Sequence, residues 1–198
     1  VFTKTLRGEA AIGHNRYSTT GSNSLANIQP FHFNYTGGNF ALAHNGNLTN
    51  TRSLRAKMKE DGAIFQTTTD SELFLHLIAR SKQKTQIEQI REAVQTAQGA
   101  YSLVMLSENA LYASRDPHGF RPLCVGRIKH EGGYAYVVAS ETCALDIISA
   151  EYIRDVEHNE ILVIDQKTVD TGEFTSYYIN ESMTEARNCI FEYVYFSR

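Results

Sequence analysis

The sequence predicts an α+β fold with largely antiparallel sheets. Two features carry that expectation. Helical patterns group together between residues 49 and 95, whereas the segment from 101 to 164 reads as short apolar strands joined by tight turns. Regular strand–helix alternation is missing, which argues against a doubly wound parallel sheet. At 198 residues and 42% hydrophobic content the chain suffices for one domain with a substantial core. No repeats, low-complexity tracts or proline-rich linkers divide it.

Taken in order, Phe40 to His44 reads as a short strand that ends at Asn45-Gly46, a strong turn dipeptide. Thr49 is expected to cap a helix that runs to about Glu60 and stops near Gly62. Thr69-x-x-Glu72 fits a capping box, with Leu73, Phe74, Leu77 and Ile78 as the apolar face behind it. Thr85-x-x-Glu88 repeats that signal ahead of Ile87, Ile90 and Val94. Strands are expected over Tyr101 to Leu106, Leu111 to Ser114, Leu123 to Ile128, Tyr134 to Ser140 and Glu160 to Ile164, with a hairpin turn at Glu131-Gly132-Gly133. Thr142 to Ser149 is a short helix, started by Ser140-Glu141-Thr142, and the aromatic run Phe191 to Phe196 reads as a buried strand.

Bulk properties remove several functions. A net charge of −3 gives no reason to expect nucleic acid or an anionic membrane as partner. The basic cluster from Arg52 to Lys59 reads as a solvated helix face, and no apolar run approaches the roughly 20 residues that span a bilayer. The start shows neither a signal-peptide hydrophobic region nor an initiator Met. Cys124, Cys143 and Cys189 are odd in number and widely spaced, which disfavours a disulfide framework and a local zinc motif. A reducing, cytoplasmic setting is the expectation.

Three polar motifs carry the chemistry: His14 to Gly21, Ala43 to Leu48 and Thr67 to Glu72. Arg16 offers a planar fork that can hold a carboxylate by two parallel hydrogen bonds. Asn45-Gly46 offers a side-chain amide beside a backbone N–H open to close approach, which suits an oxyanion. Asp70 offers a fixed negative charge for an ammonium group. Carboxylate clamp, oxyanion donors and ammonium anchor describe a site for a free amino acid undergoing acyl transfer. Each has an ordinary structural explanation, a surface arginine, a hairpin turn and a helix-dipole partner respectively. Their joint occurrence is what gives the functional reading weight. His44 reads as structural, and Arg115-Asp116-Pro117-His118-Gly119-Phe120-Arg121-Pro122 as an architectural loop.

These segments, together with Ala139 to Ile148 and Cys189 to Arg198, resemble the glutaminase domain of the amidophosphoribosyltransferase family, a class II glutamine amidotransferase of the N-terminal-nucleophile hydrolase superfamily. The resemblance implies a four-layer αββα sandwich of two antiparallel sheets. It implies that Arg16 binds the α-carboxylate of glutamine and Asp70 its α-ammonium. The Asn45 side chain and Gly46 N–H would form the oxyanion hole, and Tyr17 and Thr19 would line the pocket. It further implies that residues 1–198 form one such domain lacking its first strand. The nucleophilic cysteine, whose α-amine is the general base, would precede Val1, so the chain as given is expected to be inactive. A phosphoribosyltransferase domain using Mg²⁺ and phosphoribosyl pyrophosphate would follow Arg198, in a homo-oligomeric protein of purine synthesis. In some members Cys189 would be one ligand of a [4Fe–4S] cluster. Aminosugar and asparagine synthases share parts of the pattern, and a glutamine-binding domain without catalysis is the rival of another class.

Overall fold

The structure is a computed structural model and describes residues 8–15, 24–130, 132–182, 184–192 and 194. In chain order the elements are β1 (Phe31–Tyr35), β2 (Gly38–Leu48), α1 (Thr51–Glu60), α2 (Glu72–Arg80), α3 (Gln86–Thr96), β3 (Gly99–Ser107), β4 (Ala110–Arg115), β5 (Cys124–His130), β6 (Gly133–Ala139), α4 (Thr142–Ile147), β7 (Glu151–Asp155), β8 (Glu160–Asp165), α5 (Gln166–Thr171) and β9 (Thr175–Tyr178). One sheet has the order β1-β2-β3-β4-β8-β9 and a second the order β6-β5-β7, with every pairing antiparallel.

Alternation along the strands divides the interior in two. Phe40 and Leu42 of β2, Tyr101, Leu103 and Met105 of β3, Tyr112 of β4 and Ile161 of β8 face the helices, where they meet Leu73, Phe74 and Ile78 of α2 and Ile90 and Val94 of α3. Their neighbours Val104, Leu111, Ala113, Leu162 and Ile164 face the second sheet, against Val125, Tyr136, Val138 and Ile153. On the far side of that sheet, Leu145 of α4 packs over Gly126, where an added Cβ would lie 3.0 Å from its Cδ1. Helices, sheet, sheet and helix make the four-layer αββα sandwich that the resemblance implied.

Several local expectations need correction. Asn45-Gly46 is not a turn. β2 continues through it to Leu48, with Asn45 opposite Ser102 and Gly46 opposite Tyr101. The residue preceding α1 is Asn50 rather than Thr49, whose hydroxyl donates to the Gln98 carbonyl instead. Thr69 and Glu72 form no capping box. The Glu72 carboxylate accepts from Gln66 N–H, Thr67 N–H and the Thr67 hydroxyl, pinning the preceding loop. The Thr85–Glu88 box forms as expected. In the expected aromatic strand Phe191 is instead helical, and Phe191 and Val194 are exposed; Tyr193, Tyr195 and Phe196 lie outside the described residues. β1, β7, β9 and α5 carry no sequence signal strong enough to have been expected.

The loop from Asp116 to Pro122 is architectural. Asp116 is fully buried and accepts from Tyr101 N–H, His118 N–H and Phe120 N–H at 3.2, 2.9 and 3.0 Å. Arg115 fastens the same loop by donating to the carbonyls of Gly119, Arg121 and Val156. Replacing Asp116 by Ala strands three backbone donors, the buried Tyr101 N–H and two partly buried ones, and is expected to destabilise the fold by about 3 kcal/mol. Urea denaturation followed by circular dichroism measures this, and a loss below about 1 kcal/mol would contradict the role.

Candidate active site

The site is built where β2 ends beside the loop that enters α2. His44 is buried, its N–H donating to Gln29 Oε1 at 2.7 Å and its Nδ1 lying 2.9 Å from Ser71 Oγ. Its ring meets the Phe74 ring edge-on at 5.4 Å. Burial pushes the imidazole down to about 4. Asp70 opposes that shift, while His14 and Arg121 reinforce it. His44 is therefore neutral at pH 7. His44 also lines the cleft described below, and its partners come from residues remote in sequence.

Gly46 has φ +151°, and an added Cβ would lie 2.1 Å from the Ala100 carbonyl oxygen. Glycine is required here because β3 backbone occupies the space a side chain needs. Asn45, one residue earlier, is exposed. Two residues beyond Gly46, Leu48 N–H donates to Asp70 Oδ2 at 2.8 Å. Asp70 is buried, with Oδ1 3.8 Å from His44 Nδ1. That one hydrogen bond ties the acidic loop to the end of β2.

Asn45, Gly46 and Asp70 line a single cleft of about 660 Å³, together with His14, Asn15 and Arg121. The sequence motifs around residues 14, 45 and 70 thus converge. Arg16, Tyr17 and Thr19 lie outside the described residues, immediately after the part of that motif that reaches the cleft. Sequence reasoning missed Gln29 and Arg121, which are brought in by tertiary pairing, and in the Thr67 to Glu72 motif it singled out Asp70 but not its neighbour Ser71. Arg121 is ion-paired with Glu192, which also lines the cleft.

A second cavity of about 300 Å³ adjoins the first and shares Glu141, Cys143 and Glu192 with it. Cys124, Cys143 and Cys189 all line it. Cys124 is buried and its thiol is pushed up to about 11 by burial, with Asp155 adding to the shift. Cys189 is half-buried, and no three His, Cys, Asp or Glu side chains are grouped to hold a metal ion among the described residues. Among those residues no helix is long and apolar enough to cross a membrane.

The glutamine amidotransferase domain family matches residues 14–146. This chain belongs to that family. The match takes in all three converging motifs. Over its length the amidotransferase domain is 48% identical to amidophosphoribosyltransferase 2, chloroplastic, of Arabidopsis thaliana, covering 97% of this chain and 33% of the relative. It is 42% identical to amidophosphoribosyltransferase of Bacillus subtilis, covering 98% and 39%. A solved Bacillus subtilis glutamine phosphoribosylpyrophosphate amidotransferase, complexed with ADP and GMP, superposes with a TM-score of 0.82 at 38% identity, covering 93% of this chain and 38% of that one. The chain therefore spans about a third to two-fifths of the length of these relatives.

The buried neutral His44 makes stability depend on pH. The unfolded chain takes up a proton on this imidazole below its ordinary value of 6.5, whereas the folded chain resists until about 4. Stability from this group is thus complete above pH 6.5 and declines as pH falls toward 4, by on the order of 3 kcal/mol. His44→Asn, which keeps a polar atom near the Nδ1 position, is expected to flatten that part of a stability-versus-pH curve. An unchanged slope in denaturation midpoints between pH 6.5 and 4 would contradict the assignment.

Proposed function

We propose that this cleft binds glutamine and hydrolyses its side-chain amide, and that the whole protein delivers the ammonia to phosphoribosyl pyrophosphate. That reaction makes 5-phosphoribosylamine, glutamate and pyrophosphate, the entry to purine synthesis. The observation that carries the reading is the convergence of Asn45, Gly46 and Asp70 on one cleft, with Asp70 locked to β2 through Leu48 N–H. High identity to amidophosphoribosyltransferases over nearly the whole chain supports the choice of acceptor.

The Asp70 carboxylate holds the α-ammonium of glutamine, and Arg16, with Tyr17 and Thr19 beside it, holds the α-carboxylate end. A cysteine thiolate attacks the amide carbon, with an N-terminal α-amine as the base. Such an amine titrates near pH 7.7–8.0, close to neutrality. Charge then develops on the amide oxygen, where the Asn45 side-chain amide and the Gly46 N–H donate to it. The tetrahedral intermediate expels ammonia to leave a thioester, and water hydrolyses the thioester to glutamate. The plant relative is named chloroplastic, so the cytoplasmic setting expected from the sequence belongs to this proposal and not to the family.

Glutamate release by the full-length protein tests the assignment. Asn45→Ala is expected to lower kcat by about 10²–10³ through loss of one oxyanion donor. Asp70→Asn is expected to raise the KM for glutamine by at least about tenfold, as the charge-assisted bond to the ammonium is lost. Wild-type protein should also release pyrophosphate from phosphoribosyl pyrophosphate in proportion to glutamine consumed. Full glutaminase activity in Asn45→Ala would sink the oxyanion role. Glutamine hydrolysis that never yields pyrophosphate would sink the acceptor.

A further inference from the structure

The ammonium anchor sits on a segment with no regular structure of its own. Residues 63 to 71 join α1 to α2 as turns and extended chain, and Asp70 is near their end. A carboxylate that must meet a ligand ammonium within a few tenths of an ångström needs that segment held from outside. Two holds act on the earlier part of the loop, one from Glu72 at the start of α2 and one from Asn27, remote in sequence. Glu72 accepts from Gln66 and Thr67, and the buried Asn27 donates from Nδ2 to Thr68 Oγ1 while its Oδ1 accepts from Thr68 N–H. Neither touches the peptide that leads into Asp70.

Arg55 does. The basic cluster from Arg52 to Lys59 is expected from sequence to be a solvated face, and Arg52, Lys57 and Lys59 are indeed exposed. Arg55 departs from it. Its side chain is only 19% exposed, and the guanidinium donates from Nη1 to the Thr67 carbonyl at 2.8 Å and from Nη2 to the Thr69 carbonyl at 2.7 Å. The guanidinium carbon lies 4.2 Å from the Phe65 ring centre, and Nη2 lies 3.8 Å from Glu72 Oε2. A planar fork held by a ring on its face and a carboxylate at its edge has little freedom left. The Thr69 carbonyl belongs to the peptide plane whose nitrogen is that of Asp70. Fixing that oxygen fixes the direction from which the Asp70 side chain departs.

We propose that Arg55 is a positioning residue for the ammonium subsite: through the Thr69–Asp70 peptide it sets selectivity for ligands that carry an α-amino group. This inference rests on the amidotransferase reading. Lysine at this position keeps the charge and the aliphatic stem but has one nitrogen, which cannot bridge two carbonyls in fixed geometry. With the Thr69 carbonyl released, the peptide plane can rotate, and the Asp70 carboxylate, still tied to Leu48 N–H by Oδ2, loses the fixed direction of its other oxygen toward the ammonium. The oxyanion donors on β2 are left in place.

The test compares two ligands on the full-length protein: L-glutamine, through its KM, and glutaramate, the same molecule without the α-amino group, as a competing inhibitor. In Arg55→Lys the KM for glutamine is expected to rise about tenfold, the effect of a weakened charge-assisted contact, while the inhibition constant of glutaramate stays within about twofold. Arg52→Lys, on the exposed face of the same helix, should move neither. If both constants rise by the same factor, or neither moves, the positioning role is overturned. Should Arg55→Lys fail to fold, Arg55→Gln, which keeps one donor but not the fork that reaches both carbonyls, must raise the two constants unequally, or the proposal fails. Wild-type protein that hydrolyses no glutamine overturns the amidotransferase reading and this inference with it. An active wild type with unchanged ligand preference in Arg55→Lys overturns this inference alone.

Discussion

The pairing of β2 with β3 through Asn45-Gly46 is the constraint on which the cleft depends. The strands approach so closely that an added Cβ at Gly46 would penetrate the Ala100 carbonyl oxygen. A glycine there lets the ladder continue to Leu48, and Leu48 N–H then reaches Asp70. The Asn45-Gly46 segment and Asp70 are thus referred to one strand, although Asp70 itself is carried by a loop. Preorganised donors are effective because they need no rearrangement when charge develops, and a strand held by the β3 ladder through Leu48 is a suitable platform for polar groups of that kind.

The electrostatics follow from the same packing. An imidazole 3.8 Å from Asp70 would, if protonated, compete with a ligand ammonium for the carboxylate. Burial, reinforced by His14 and Arg121, keeps His44 neutral, so it sets no positive charge against the Asp70 carboxylate. At the opposite wall Arg121 is held by Glu192, which lines both the cleft and the cavity beside it. The segment carrying Cys189 and Glu192 is thereby joined to the wall of the cleft by an ion pair.

How much of this was legible in the sequence depends on how local each cause is. The Thr85–Glu88 box was readable because both partners lie within one helical turn. The long apolar strands β3, β4, β5 and β8 were readable from composition. Asn45-Gly46 was misread because a turn and a close strand approach both demand glycine, and only the position of Ala100 decides between them. Thr69 and Glu72 have the spacing of a capping box, yet Glu72 finds better donors in Gln66 and Thr67. β1, β7 and β9 are edge strands with one solvated face, so they lack the apolar run that marks a strand. At the site, Asn45, Gly46 and Asp70 were found through motif and resemblance. Gln29, Ser71, Arg55 and Arg121 were not, because each acts through a contact set by the tertiary fold.

The central claim is geometric, and a crystal structure of the full-length protein with glutamine bound tests it most directly. The account predicts the α-ammonium within hydrogen-bonding distance of the Asp70 carboxylate and the side-chain amide oxygen facing the Asn45 amide and Gly46 N–H. Glutamine bound in the neighbouring cavity lined by Cys124, Cys143 and Cys189, or with its ammonium turned away from Asp70, would contradict it.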